Sequence, residues 1–164
     1  MDVDLGTLLV RLALGPMLIL HGWNKVAGPG GLAGTTRWFN GLGIQPAWLH
    51  ARIAATTELT AGALVTLGLF TGPATAAFVG LMTVATLTDH RGKGFFVFKG
   101  GWEYTVLIGI VSVALAAIGP GAWSLDRLLG LRLSGVVWAA IALVGGVAAA
   151  TGLLLTSYRP STTD

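Results

Sequence analysis

The chain has 164 residues, of which 54% are hydrophobic and 10% charged, with a formal net charge of +3. Its mean hydropathy is +0.77 and its pI about 9.8. A soluble domain carries about 25% charged residues, so this composition excludes one and indicates an all-α, polytopic membrane helix bundle. The basic balance gives no sign of a nucleic-acid partner, because the cations stand at the ends of apolar runs and form no stripe. With no cysteine, a disulfide relay, a thiol nucleophile, an iron–sulfur cluster and covalent haem attachment are all excluded.

Residues 5–23 show no periodicity that would leave a solvated face, and they match the ~20 residues that cross a bilayer core. They are expected to form the first transmembrane helix. A secretory signal would begin with cations, whereas this chain begins with Asp2 and Asp4 and places Arg11 inside the apolar run, so the segment is expected to be retained. A charge at that depth costs roughly 2.5 to 3.5 kcal/mol on insertion scales. Arg11 either snorkels to the nearby interface or meets a partner within the protein.

A Gly- and Pro-rich stretch follows, in which residues 35–42 are expected as a short interfacial helix burying Trp38, Phe39 and Leu42. The second span, 50–70, carries Glu58 about 12 Å from its start. Thr56, Thr57 and Thr60 around it either bond its oxygens or back-bond to helix carbonyls. Thr71-Gly72-Pro73 makes a turn into a third span, 73–88, giving an antiparallel hairpin. Residues 89–101 mix three cations with Phe95, Phe96 and Phe98, as an interfacial loop would. The fourth span, 102–118, opens with Glu103, where a carboxylate suits the helix dipole. In the connection 119–135, Ser124 or Asp126 is expected to cap a short surface helix. Residues 136–157 form a fifth span and 161–164 a frayed tail. The expected division is a four-helix membrane domain over 1–130, an additional C-terminal transmembrane helix over 131–158, and a tail over 159–164.

Five spans would put Lys25, Arg37, Arg52, Arg91, Lys93, Lys99 and Arg159 on one side, against Arg127 and Arg132 on the other. That bias places the first side in the cytoplasm, with the N-terminus outside and the C-terminus cytoplasmic. The same threading gathers polar residues in the cytoplasmic half. The candidate buried cluster and ligand site is Arg11, His21, Asn24, Lys25, Glu58 and Glu103, and matching depths suggest Arg11 and Glu58 as its ion pair. Trp38 and the phenylalanine loop are expected to roof it. The opposite half is expected to offer small apolar side chains, with Asp126 and Arg127 at the surface. No metal site is expected, since His50 and His90 stand beside cations at helix ends and read as interfacial.

These residues resemble the DoxX/DoxD-like membrane protein family. The shared features are Arg11 in the first helix, His21-Gly22-Trp23-Asn24-Lys25-Val26-Ala27-Gly28 at its end, Glu58 with Leu67-Gly68, Gly101-Trp102-Glu103, and Gly119-Pro120-Gly121-Ala122-Trp123-Ser124-Leu125-Asp126. They run in the family's order over residues 5–126. The resemblance implies a four-helix core in the bacterial cytoplasmic membrane, from which the fifth helix departs. It also implies a link to thiosulfate:quinone oxidoreduction, or to complexes that join superoxide- and sulfur-handling enzymes.

Three functions are compatible with these residues. The chain is a non-catalytic subunit or anchor of a redox-linked complex, whose buried polar network specifies packing. Alternatively, it is a quinone-interacting oxidoreductase subunit using Arg11, His21 and Glu58, with no intrinsic cofactor beyond the quinone. The third reading is a carrier of a small lipid-like or anionic molecule, which the lack of broken helices and repeats disfavours. Expected partners are the bilayer, proteins met through the C-terminal helix, and a second copy of the chain.

Overall fold

The computed structural model describes residues 1–160, which are helical apart from loops and one isolated bridge between Ile44 and Tyr158. Helix α1, Asp2–Ala27, is longer at both ends than its apolar run. Asp2 and Asp4 in its first turn and Lys25 in its last suit the helix dipole, so the polar flanks remain helical. Helix α2 is Gly31–Gly41 and α3 is Ala47–Leu67. The latter ends three residues before the expected position, because Gly68 takes the left-handed conformation that terminates helices. Helix α4 is Thr71–Leu87, α5 is Glu103–Ile118, and α6 is the single turn Leu125–Leu128. The last helix, α7, is Val136–Ser157 and contains a wider π-turn at Ile141–Gly145.

Two of these helices, α1 and α7, are long and apolar enough to cross a bilayer. Helices α4 and α5 are apolar but have 17 and 16 residues, about 24 to 26 Å of rise. Large apolar side chains such as Leu9, Leu20, Leu107, Ile110, Val144 and Leu155 point outward, while Leu14, Leu18, Val65, Phe78 and Leu115 fill the interior. A bundle that is apolar on both faces is what a hydrocarbon surround permits.

Small residues set the helix contacts. A Cβ at Gly15 would lie 2.7 Å from the Gly62 carbonyl, and one at Gly22 would lie 3.0 Å from Glu58 Cβ, so α1 rests directly on the α3 backbone. On the other side α7 packs along α4, where a Cβ at Gly146 would lie 2.7 Å from the Ala76 carbonyl. Helix α4 is thus sandwiched by α3, α5 and α7. The end of α7 returns to the segment before α3: Gln45 N–H donates to Ser157 O at 2.7 Å and Arg159 N–H to Gly43 O at 2.6 Å. Arg159 is therefore fixed, and residues 161–164, expected as a frayed tail, lie outside the described residues.

Candidate functional site

The alternating helices create two ends with different chemistry. At the end holding the start of α1, the α3–α4 turn and the connection after α5, Arg11 is 2% exposed. Its guanidinium donates to Val65 O at 3.0 Å, Thr66 O at 2.8 Å, Pro120 O at 2.9 Å and Trp123 O at 2.7 Å. Two of those carbonyls belong to the last turn of α3, where Val65 O also accepts from the capping Gly68 N–H at 3.1 Å and Thr66 O has lost its intrahelical donor. The cation therefore caps α3 while joining it to the loop that follows α5. Asp126 completes the arrangement: its oxygens accept from Phe70 N–H at 2.7 Å and Thr71 N–H at 2.9 Å, the first amides of α4. The intervening turn passes through left-handed Gly68 (φ 62°) and Phe70 (φ 47°), and the Asp126 bond holds Phe70 in that disfavoured conformation.

This end corrects the expectations for Arg11 and Asp126. Arg11 does not pair with Glu58; matched depths placed them at one level, but Arg11 reaches toward the end where its own helix begins. Asp126 is 1% exposed, not a surface residue, because the bare N-terminus of α4 attracts a carboxylate. Ser124, one of the two expected caps, does cap α6, accepting from Arg127 N–H at 3.2 Å. The supposedly apolar half is thus the more heavily hydrogen-bonded one.

At the opposite end, Lys25 and Glu58 form the buried pair. Their side chains are 11% and 9% exposed, and both carboxylate oxygens lie 2.7 Å from Nζ. Only Oε1 has hydrogen-bond geometry; Oε2 is held by charge alone. Two charges so placed roughly balance their desolvation by mutual attraction. Helix α2 lies across them, with Trp38 5.7 Å from Nζ and Thr35 Oγ1 donating to Lys25 O at 3.0 Å. Thr60 back-bonds to Thr56 O at 2.8 Å, so the threonines do not supply Glu58.

Beside this pair lies a partly open chamber of about 620 Å³, between α3 on one side and α4 and α7 on the other, lined also by α1, α2 and α5. That volume suits a drug-sized ligand. Its walls are mostly Ala, Gly, Leu and Met, with polar groups from His21, Lys25, His50, Thr57, Glu58 and His90.

Of the six expected site residues, the chamber thus unites Lys25, Glu58 and His21. Asn24 is exposed and off the chamber, since it falls on the outer face of α1. Glu103 also points away, accepting from Val97 N–H at 2.9 Å and so fixing the preceding loop. The phenylalanines do not roof the chamber: Phe95 packs edge-on against Phe96 and Trp102 on the exposed surface, while Trp38 does line it. His50, read as interfacial, is 9% exposed and lines the chamber. Its spacing of eight from Glu58, two turns along the same helix, was the available signal. Among the described residues no three His, Asp or Glu side chains converge as a metal site.

The DoxX family model matches residues 6–91. Among curated proteins the chain is similar to "Uncharacterized membrane protein Rv3486" of Mycobacterium tuberculosis, at 31% identity over 75% of this chain and 80% of that protein. It is similar to "Putative oxidoreductase CatD" of Bacillus subtilis at 32%, covering 75% and 86% of the two chains. "Inner membrane protein YphA" of Escherichia coli matches at 30%, covering 73% and 87%. No solved structure matches the chain.

Proposed function

Because the chain belongs to the DoxX family of membrane proteins, we propose that it is a membrane subunit of a redox-linked complex. In this reading it has no catalytic centre of its own, and it holds a quinone-type molecule in the chamber beside Lys25 and Glu58. The observation that carries the reading is the chamber itself, large enough for a ring headgroup and bordered by a buried ion pair. The name of the Bacillus relative supports the redox element. Seven cations at the chamber end against two at the other support a cytoplasmic chamber, an outside N-terminus and a cytoplasmic C-terminus. A test is to purify the chain in native lipid, extract it with solvent, and quantify quinone per protein in the wild type and in Glu58→Gln. Stoichiometric quinone in the wild type that falls in the variant supports the reading; none in either refutes it.

A second reading is favoured by a separate observation. Arg11 and Asp126 are wholly engaged in joining helices, and Glu58 is engaged by Lys25, which suits an assembly subunit without ligand. Its partner surface would be the outward face of α7, where Val136, Val137, Val144 and Leu155 are exposed. A gentle-detergent pull-down that loses its partner when Val144 is replaced by Trp, with no quinone present, would select this reading.

A further inference from the structure

Several polar groups of the chamber wall already have a partner, while the exposed His21 and the half-buried Thr57 are open to solvent. Lys25 is paired with Glu58, and Asp89 lies 3.4 Å from Lys93 Nζ and 3.9 Å from His90 Nε2. His90 Nδ1 bonds Gly100 O at 2.6 Å, and the Tyr104 hydroxyl donates to Met17 Sδ. His50 differs. It is more than nine-tenths buried on the chamber wall, and its Nδ1 is enclosed with no hydrogen-bond partner among the described residues. A buried polar atom left unpaired is a standing cost, and because His50 lines the chamber, a turn of its ring toward the cavity lets an outside molecule complete the bonding.

We propose that His50 is the hydrogen-bonding contact for the polar end of an uncharged amphiphile: an alcohol, phenol or ketone carried on a hydrocarbon body. The inference rests on the chamber being a ligand site, as in the reading above. The headgroup is neutral because the charges on the wall are already paired. A carboxylate or phosphate would enter as an uncompensated charge among apolar side chains, and so would an ammonium. It is a hydroxyl or carbonyl because an imidazole nitrogen donates in one tautomer and accepts in the other, and these groups answer one or both. Along α3 the face running from His50 through Ala54 and Thr57 to Glu58 forms one wall of the chamber. The body then lies against Ala77, Gly80 and Ala149 of α4 and α7, whose small side chains leave the width for it.

The test uses the full chain in lipid nanodiscs and two photoreactive probes sharing one diazirine-bearing alkyl chain, one ending in a hydroxyl and the other in a carboxylate. Cross-links are mapped by mass spectrometry. The alcohol should label the chamber-facing peptides of α3, α4 and α7, and the carboxylate should label them no more than the outer surface. His50→Leu should lower chamber labelling by the alcohol about tenfold, the ~1.4 kcal/mol of one hydrogen bond. His50→Gln, which keeps a donor and an acceptor, should retain it. If His50→Leu fails to insert, His50→Phe carries the same readout. Equal chamber labelling by the two probes, or undiminished labelling in the apolar variants, overturns the proposal. Ala54→Phe and Ala149→Phe fill the chamber from opposite walls and separate the two failures. If they abolish labelling while His50→Leu does not, only the His50 assignment falls. If labelling persists in both, the chamber is not a ligand site and the functional reading falls with it.

Discussion

Replacing Arg11 by Met should remove the main tie between α1, the end of α3 and the connection after α5. The side chain makes four hydrogen bonds to carbonyls at 2.7 to 3.0 Å. Bonds to a charged group contribute roughly 1.5 to 3 kcal/mol each, a gross ~6 to 12 kcal/mol. Against this, the variant no longer buries a cation, which recovers several kcal/mol, and methionine refills most of the volume. The net loss should be ~3 to 5 kcal/mol, the range for breaking a buried charged network. Unfolding by SDS in mixed micelles, followed by tryptophan fluorescence, measures it. Hydrogen exchange locates it, because the Asp126 amide, bonded to Gly68 O at 2.8 Å, should exchange faster when the loop loosens. Arg11→Lys should recover only about half the loss, since one ammonium has three donors and lacks the planar fork that reaches two segments. A loss below ~1 kcal/mol, with Asp126 exchange unchanged, would refute the account of Arg11 as a cap and tie.

Other consequences are separable. Arg11→Met and Glu58→Gln should be additive within ~0.5 kcal/mol in the same unfolding assay, because their α3 contacts are about seven residues, or ~10 Å, apart, whereas Lys25→Met and Glu58→Gln should show coupling of ~1 to 3 kcal/mol. Asp126→Asn keeps one acceptor oxygen for two amides and should cost ~1 to 2 kcal/mol, read from the same titration. Gly15→Val should cost ~2 to 4 kcal/mol or prevent folding, measured as the monodisperse fraction on size exclusion, since its Cβ would overlap Thr66 and the Gly62 carbonyl. Glu103→Gln should change stability by less than ~1 kcal/mol, because its bond to Val97 N–H is solvent-exposed and an amide oxygen can replace it.

An all-α membrane bundle is legible in the residues alone, since only helices and closed barrels satisfy their backbone in hydrocarbon, and the apolar runs are helix-length. The apolar runs also mark roughly where each long helix lies, and the charges inside them must have partners. Lys25 and Glu58 fall at the same end because the order of spans alone brings the end of the first to the start of the second. Which partner each charge takes was decided by tertiary structure. Arg11 and Glu58 were compatible in depth, yet Arg11 turns to the carbonyls of α3 and the α5–α6 loop, and Lys25, extended by the longer α1, occupies Glu58. Asp126 read as a surface residue because its partners, the amides of Phe70 and Thr71, lie 56 and 55 residues away and become acceptor-seeking only when α4 begins there. His50 read as interfacial until α3 turned it onto the chamber. Depth along a helix is written in the sequence at 1.5 Å per residue. The rotation of each helix, and therefore the neighbour that each side chain faces, is fixed only when Gly15, Gly22, Gly62 and Gly146 let all the helices close on one another together.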